Sequence, residues 1–209
     1  MIYCDKKKII FIHLVKTGGS SIKDAFSMPW GKHMMVKELF DNSLAGNKKI
    51  LEGDERHFCS IKEIERFKEQ VRLRWDSYYK FSFVRNPWDR VISEIFFNIK
   101  RGRCESREIK RMILDKCKGP AENVWKKNYI EWLLGPSGGI DLDFIGRFEN
   151  LQLDINTICD NIELRRRGLP HLNESAHGHY SSYYDQETRD AVAKSYAEDI
   201  EHFGYKFGS

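Results

Sequence analysis

Residues 16–21, Lys-Thr-Gly-Gly-Ser-Ser, place a cation, three hydroxyls and two glycines side by side. Cations and hydroxyls bind anions, and glycines let the backbone approach a ligand closely. The apolar run Ile9–Val15 before them predicts a buried strand, and the amphipathic residues after them predict a helix. The first N–H groups of a helix have no partner within it and point towards an anion. The segment therefore predicts an anion site, with a glycine turn that binds nothing as the alternative.

A second group of candidate residues follows Phe81–Val84, another apolar run that predicts a buried strand. An Arg-Asn-Pro sequence begins at Arg85, and its proline suits the first turn of a helix. Arg85 is thus expected at the carboxyl end of a strand, where open parallel sheets bind ligands. Ser93 lies two turns into the helix, on the side of Arg85. Arg90 could also face a ligand, but we favour a structural ion pair with a carboxylate.

These two segments resemble the cofactor motifs of sulfotransferases that use 3′-phosphoadenosine-5′-phosphosulfate (PAPS). Residues 16–21 resemble the loop for the 5′-phosphosulfate. Arg85 and Ser93 resemble the 3′-phosphate motif, in which a serine follows the arginine of Arg-Asn-Pro by eight residues. Residues 143–151 and 169–175 resemble later segments of the carbohydrate sulfotransferases, especially the group of heparan sulfate 2-O-sulfotransferase (sulfotransferase family 2). The resemblance spans nearly the whole chain, in the family's order.

The resemblance implies an enzyme that moves a sulfonyl group from PAPS to a hydroxyl of a carbohydrate or glycoconjugate. The product is adenosine 3′,5′-bisphosphate, and the chemistry needs no metal. Lys16 is expected to stabilise the leaving group, because transfer of this kind depends on positioning and charge stabilisation. A loop over residues 175–182 is expected to close over the 3′-phosphate and adenine. The cofactor contacts implied are Lys16, Thr17, Gly18, Gly19, Ser20, Ser21, Arg85, Ser93, Ser175, His179 and Tyr180.

The acceptor hydroxyl needs a base, and we predict His57 for this role. The pKa of a histidine suits proton transfer near neutral pH. His57 lies in a predicted loop before a helix, and it aligns by resemblance with a histidine of related carbohydrate sulfotransferases. Glu55 is the second candidate, and a loop-capping role for His57 is the structural alternative. His13 lies within the first predicted strand, so we expect it to pack in the core.

Basic residues are unevenly distributed in this chain, whose net charge is only +4. The predicted helix Pro87–Ile99 is followed by Lys100, Arg101 and Arg103. We predict that these residues bind an anionic acceptor. Solvated surface is the alternative for these residues and for residues 165–167, which are all arginine. A nucleic-acid-binding module fits poorly, because the chain has no recognisable reader motif.

Two further functions are considered. A nucleotide kinase with a phosphate loop needs its lysine after the glycines, whereas Lys16 precedes them. A non-catalytic relative that binds anionic sugars is the other alternative, and the presence of Lys16, Arg85 and Ser93 counts against it.

The five cysteines are scattered without a C-x-x-C pair, which predicts reduced thiols rather than disulfides or a zinc site. No apolar run approaches the ~20 residues of a membrane span. The start of the chain also lacks the layout of a signal peptide. We therefore expect no stable membrane insertion and a cytoplasmic protein of bacterial or viral type, with an excised Golgi domain as the less favoured alternative. The sequence does not predict an oligomeric state.

Strands that alternate with helices predict an α/β fold in one domain over residues 1–209. We expect three layers, with a mainly parallel sheet flanked by helices, and the resemblance implies a P-loop-like sulfotransferase fold. The predicted strands are Lys8–Val15, Lys49–Glu52, Tyr78–Val84 and Phe144–Phe148. The predicted helices are Gly19–Phe26, Ser60 to about Val71, Pro87–Ile99, Ser106–Cys117, Ala121–Leu134, Leu151–Asn161 and one from Asp185 to about His202.

Overall fold

The computed structural model describes residues 2–28, 35–36, 40, 61–103, 108–118, 127–170 and 178–208, with the backbone alone for residues 61–68. These residues form a four-stranded sheet in the order β1-β2-β3-β4. The strands are β1 Ile2–Cys4, β2 Ile9–Ile12, β3 Tyr79–Val84 and β4 Phe144–Arg147. Strands β2, β3 and β4 are parallel, and β1 is antiparallel to β2. The predicted α/β fold with a mainly parallel sheet is confirmed.

The helices of the described residues cover both faces of this sheet. They are α1 Gly19–Ala25, α2 Ile61–Ser77, α3 Pro87–Lys100, α4 Ile109–Lys118, α5 Tyr129–Leu133, α6 Leu151–Asn161, α7 Gln186–Ser195 and α8 Ala197–Phe203. Short 3₁₀ turns occupy Phe148–Asn150 and Tyr180–Tyr183.

The core has two halves because successive residues of a strand point to opposite faces of the sheet. Ile9 and Phe11 of β2 belong to the half that is completed by apolar residues of α1 and α6. Ile10 and Ile12 belong to the half that is completed by α3 and by helices later in the chain. Burial on both faces explains why β2 is a continuous apolar run, while β3 also buries Lys80 and Ser82.

The parallel register brings three strand ends to one edge of the sheet. Ile12 at the end of β2 pairs with Ser82, and Val84 at the end of β3 pairs with Arg147 at the end of β4. The chain segments that follow β2, β3 and β4 therefore lie together. This edge carries the residues that the sequence predicts as cofactor ligands.

Three predicted helices differ from the structure, and the first of them, predicted to end at about Val71, continues to Ser77. The helix predicted over Ala121–Leu134 begins at Tyr129 within the described residues, because Asn128 and Glu131 form a capping box there. The Asn128 N–H donates to Glu131 Oε1 at 2.9 Å. Leu134 has left the helix and pairs with Ile140 across the predicted loop.

The helix predicted from Asp185 to about His202 is divided into two helices, α7 and α8. Asp185 caps α7 as predicted and accepts a hydrogen bond from the Thr188 N–H at 2.9 Å. Tyr196 then leaves helical geometry, with φ −119°. Its buried ring packs beside the Arg90 guanidinium, 5.0 Å from the ring centroid, so tertiary packing accompanies the break. The three-residue strand β1 was not predicted, because so short a segment shows no clear period.

Among the described residues, Cys4, Cys117 and Cys159 do not form disulfides. Cys59 and Cys104 lie outside these residues. No helix in the described part of the chain is long and apolar enough to cross a bilayer.

Candidate active site

The chain turns between β2 and α1 through left-handed backbone at two positions. Lys16 has φ 62° and Gly18 has φ 75°. Glycine adopts this conformation without penalty, whereas any other residue loses roughly 1–2 kcal/mol. The turn delivers the chain to Gly19, where α1 begins at the carboxyl edge of the sheet. Position 18 therefore needs glycine, and Lys16 occupies a strained position.

Gly19 is required by packing as well. A Cβ atom at this position would lie 1.9 Å from Nε2 of His13. The His13 ring is buried and stacks on Phe11, with the ring centroids 5.5 Å apart. This confirms the prediction that His13 is a core residue, and it shows how the core supports the phosphate loop, residues 16–21, from beneath.

The Lys16 side chain extends towards α3. Its Nζ lies 4.2 Å from the centroid of the Phe97 ring. Burial, assisted by the positive charge of Arg85, lowers the pKa of Lys16 to about 8, and the negative charge of Glu94 opposes this shift. Lys16 is therefore still mainly cationic at pH 7.

Arg85 joins the two predicted cofactor motifs. Its Nη1 donates to the carbonyl oxygen of Lys16 at 3.0 Å and to Oγ of Ser93 at 2.9 Å. Its Nε donates to Oδ2 of Asp89 at 2.8 Å. The guanidinium also stacks on Phe148, 3.9 Å from the ring centroid. The structure thus brings Lys16, Arg85 and Ser93 together in one buried network.

Phe148 forms the wall between the loop and Arg85. A Cβ atom on Gly18 would lie 3.3 Å from Cε2 of Phe148, so the ring touches the loop as well as the guanidinium. Sequence reasoning missed Phe148 and Asp89. The spacing of four residues between Arg85 and Asp89 on a predicted helix start could have revealed Asp89. No local pattern marks Phe148, because its contacts reach it from distant segments.

The three hydroxyls of the loop have different environments. Thr17 is fully buried, and its Oγ1 donates to the Leu14 carbonyl at 3.0 Å. The sequence predicts a Thr17 hydroxyl that faces a phosphate. In the structure, this hydroxyl instead forms a hydrogen bond to the backbone of its own turn. Ser21 is buried and Ser20 is half-buried in the first turn of α1. Ser20 is therefore the most accessible of the three.

Tyr180 lies against the end of β3 through its hydroxyl. Nδ2 of Asn86 donates to Tyr180 Oη at 3.3 Å, and the Gly208 N–H donates to the same oxygen at 2.8 Å. His179 stacks with Tyr180 at 4.6 Å between ring centroids, and its Nδ1 lies 2.8 Å from Oγ of Ser181. The structure thus places Tyr180 beside the site and gives His179 a capping role in the 3₁₀ turn.

Three cations converge on the Phe97 ring. The Arg101 and Arg103 guanidinium carbons lie 5.2 and 5.8 Å from the centroid on which the Lys16 ammonium also packs. Two of the predicted acceptor-binding residues are thus neighbours of Lys16. Lys100 is exposed at the last position of α3.

Other basic residues are paired with carboxylates. Nζ of Lys110 lies 2.6 Å from Asp185 and 2.8 Å from Glu187. Arg166 lies 2.6 Å from Asp160. These pairs are exposed surface interactions, and none of them includes a neighbour of Phe97.

Several predicted residues cannot be placed. The proposed bases His57 and Glu55 lie outside the described residues, and so does Ser175. The predicted strand Lys49–Glu52 and the cap at Ser60 also fall there. Their roles stay predictions.

The sequence matches the model of the Sulfotransferase family over residues 1–206. The chain therefore belongs to the Sulfotransferase family, and it is a transferase of sulfur-containing groups. No curated protein and no solved structure matches the chain. Family membership rules against the nucleotide kinase alternative. The closer resemblance to heparan sulfate 2-O-sulfotransferase stays a prediction.

Proposed function

We propose that the protein transfers the sulfonyl group of PAPS to a hydroxyl of a carbohydrate or glycoconjugate. The observation that carries this proposal is the Arg85 guanidinium, which bonds to the Lys16 carbonyl and the Ser93 hydroxyl. Arg85 and Lys16 are 69 residues apart in sequence. Their contact gives one site a lysine, an arginine and hydroxyls, a donor set that suits a ligand with separate phosphate and phosphosulfate groups.

Each part of the site has a proposed role in binding. Gly18 and Gly19 let the backbone approach the 5′-phosphosulfate, and Ser20 and Ser21 add hydroxyl donors. Arg85 and Ser93 bind the 3′-phosphate. The guanidinium suits this role because a planar charged fork binds phosphate more strongly than a neutral donor. Thr17 contributes to cofactor binding through its backbone. Tyr180 and His179 form the side of the cofactor site beside the end of β3.

PAPS, when bound, supplies the sulfonyl group and a phosphate as leaving group. The acceptor oxygen forms a bond to sulfur while the bond from sulfur to the 5′-phosphate oxygen breaks. Lys16 holds the negative charge that develops on the phosphate oxygen. His57, or Glu55 in its place, receives the proton of the acceptor hydroxyl. The protein's residues therefore provide positioning, charge and proton transfer.

Lys100, Arg101 and Arg103 are proposed to bind an anionic part of the acceptor. The support is the position of both guanidiniums over Phe97, next to the Lys16 ammonium. Exposed charges are screened within about 8 Å at physiological ionic strength. Added salt is thus expected to raise the KM of an anionic acceptor, and Arg101→Gln with Arg103→Gln should reduce this dependence. A KM that is independent of salt would leave these residues as ordinary surface.

The deciding experiment is transfer of labelled sulfate from PAPS to a panel of sugars, glycolipids and simple phenols. Lys16→Ala should lower kcat by ~10²–10³-fold, the usual effect of losing one charge-stabilising group, while circular dichroism shows an intact fold. Retention of more than about a third of kcat would contradict the role of Lys16, since that loss lies far below the expected range. In parallel, adenosine 3′,5′-bisphosphate should raise the melting temperature more than ADP does. Equal stabilisation by both nucleotides would contradict the 3′-phosphate site.

A further inference from the structure

Glu94 is a buried carboxylate that the proposed chemistry does not use. It follows Ser93 directly on α3, and only 4% of the residue is exposed. Its Oε1 accepts a hydrogen bond from Nζ of Lys116 on α4. Its Oε2 is buried, and no donor among the described residues reaches it. Burial of a charged group is costly unless its charge is compensated, and Glu94 has Lys116 as its hydrogen-bonded cation and the buried Arg90 of the preceding turn as a second positive charge.

The position of Glu94 on α3 places its charge beside the site. Residues three or four apart share one face of a helix, so Glu94 stands next to Phe97. The Lys16 ammonium packs on Phe97 at 4.2 Å from the ring centroid. Glu94 is the one negative charge that acts clearly on Lys16 from within the described residues, against the positive charge of Arg85.

We propose that Glu94 is a positioning residue for sulfonyl transfer, whose carboxylate attracts the Lys16 ammonium and maintains the cation at the phosphate loop. This inference rests on the proposed function, in which the charge of Lys16 stabilises the leaving group. Glu94 does not touch the reacting atoms in this proposal. It acts through Lys16, while Lys116 on its other side neutralises part of its charge.

The other charged and titratable groups around this pair set the direction of the effect. Arg85 acts on Lys16 from the end of β3, and the guanidiniums of Arg101 and Arg103 lie over the shared Phe97 ring. Glu94 also acts on Arg90 within α3 and on Tyr196 at the end of α7. Lys16 is thus surrounded mainly by positive charge, and Glu94 is what opposes it.

The pH dependence follows from the charge balance. Burial and Arg85 lower the pKa of Lys16 to about 8, and Glu94 raises it. A lysine is cationic below its pKa, so transfer that needs the cation declines as pH rises through this value. Without the Glu94 charge, the decline should begin at lower pH, within the neutral range.

The direct test is an NMR titration of the Lys16 amine in the free protein, with the resonance assigned from Lys16→Arg. Glu94→Gln preserves the shape of the side chain and should lower the pKa of Lys16 by about one unit, a shift typical of the loss of a nearby opposite charge. Lys116→Gln removes the competing cation and should shift the pKa of Lys16 upward. Asp115→Asn removes an exposed carboxylate of α4 and should change nothing.

Opposite shifts in Glu94→Gln and Lys116→Gln support the proposal, because an ion pair with a purely structural role would affect stability in both variants and leave Lys16 unchanged. If Glu94→Gln does not fold, the upward shift in Lys116→Gln still tests the coupling. An unchanged Lys16 titration in every folded variant overturns the proposal.

Kinetics with PAPS then test whether the coupling serves the reaction. The alkaline limb of kcat/KM should move in Glu94→Gln and Lys116→Gln in the same directions as the Lys16 titration. An alkaline limb that stays in place while Lys16 shifts overturns the role in transfer. If the amine shifts but the wild-type protein transfers no sulfate to any acceptor, the coupling stands and the proposed function fails.

Discussion

Arg85 and Arg90 lie five positions apart at the start of α3, and each is at least nine-tenths buried, with 7% and 0% exposed. The partners of Arg85 are Lys16, Ser93 and Asp89, which line the carboxyl edge of the sheet. Arg90 instead donates to the Lys127 carbonyl at 2.9 Å and stacks on Tyr129 at 4.0 Å. Burial alone thus does not separate the arginine that is proposed to bind a ligand from the structural one. The position of the partners does.

The carboxylate partner of Arg90 belongs to α8. Oδ2 of Asp199 lies 3.6 Å from Nη1 of Arg90, and the two oxygens of Asp199 accept the N–H groups of Tyr129 and Ile130 at 2.7 and 2.9 Å. Burial raises the pKa of Asp199 to about 6, although Arg90 and these two N–H groups oppose the rise. Arg90 and Asp199 therefore connect α3, α5 and α8.

The largest loss of folding free energy is expected when the ion pair of Arg90 and Asp199 is removed. Arg90→Met leaves the buried Asp199 without its cation, and removal of one partner of a buried ion pair typically costs about 3–5 kcal/mol. Urea unfolding measures the change, and Arg85→Met is the comparison, which should cost less because its partner Asp89 is 17% exposed whereas Asp199 is 1% exposed. The contrast between the two arginines would be wrong if both variants lost the same free energy of unfolding.

Arg85→Ala should weaken ligand binding, and it also removes the cation that pairs with Asp89. A hydrogen bond to a charged group contributes about 1.5–3 kcal/mol, so adenosine 3′,5′-bisphosphate should bind about ten- to a hundredfold more weakly. Calorimetry with adenosine 5′-phosphate provides the comparison, because that ligand lacks the 3′-phosphate. Equal losses for the two nucleotides would contradict the assignment of Arg85 to the 3′-phosphate.

Ser93→Ala should have the smallest effect of the series. Its hydroxyl is neutral and accepts a hydrogen bond from Arg85, so its removal should weaken affinity less than removal of the charged guanidinium does. The loss should again be specific for the 3′-phosphate. A loss greater than that of Arg85→Ala would mean that the serine, and not the guanidinium, is the main ligand.

The two arginines also show which features of the site can be predicted from the sequence. The proximity of Arg85 and Ser93 and the structural role of Arg90 were predicted correctly, because helix periodicity and a strand end determine them locally. Phe148 could not be found in this way, since its ring meets Arg85 and Gly18 only when the strands pair. The cation cluster on Phe97 likewise depends on how the loop folds against α3.

The interruption at Tyr196 was missed because its ring packs beside Arg90, and such a contact is invisible in the spacing of apolar residues. The single domain, the cytoplasmic location and the carbohydrate acceptor stay predictions. Family membership alone defines neither the acceptor nor the compartment.

The left-handed backbone at Lys16 has a consequence for protein engineering. Glycine at this position would remove a strain of roughly 1–2 kcal/mol and would also avoid the burial of a charge. A library screened only for heat resistance would therefore enrich glycine at position 16, and on the role proposed for Lys16 the selected proteins would be stable but inactive. Stabilising mutations commonly cost function where a site is strained. A thermostabilisation campaign on this enzyme should keep residue 16 constant and draw its gains from surfaces away from the carboxyl edge of the sheet.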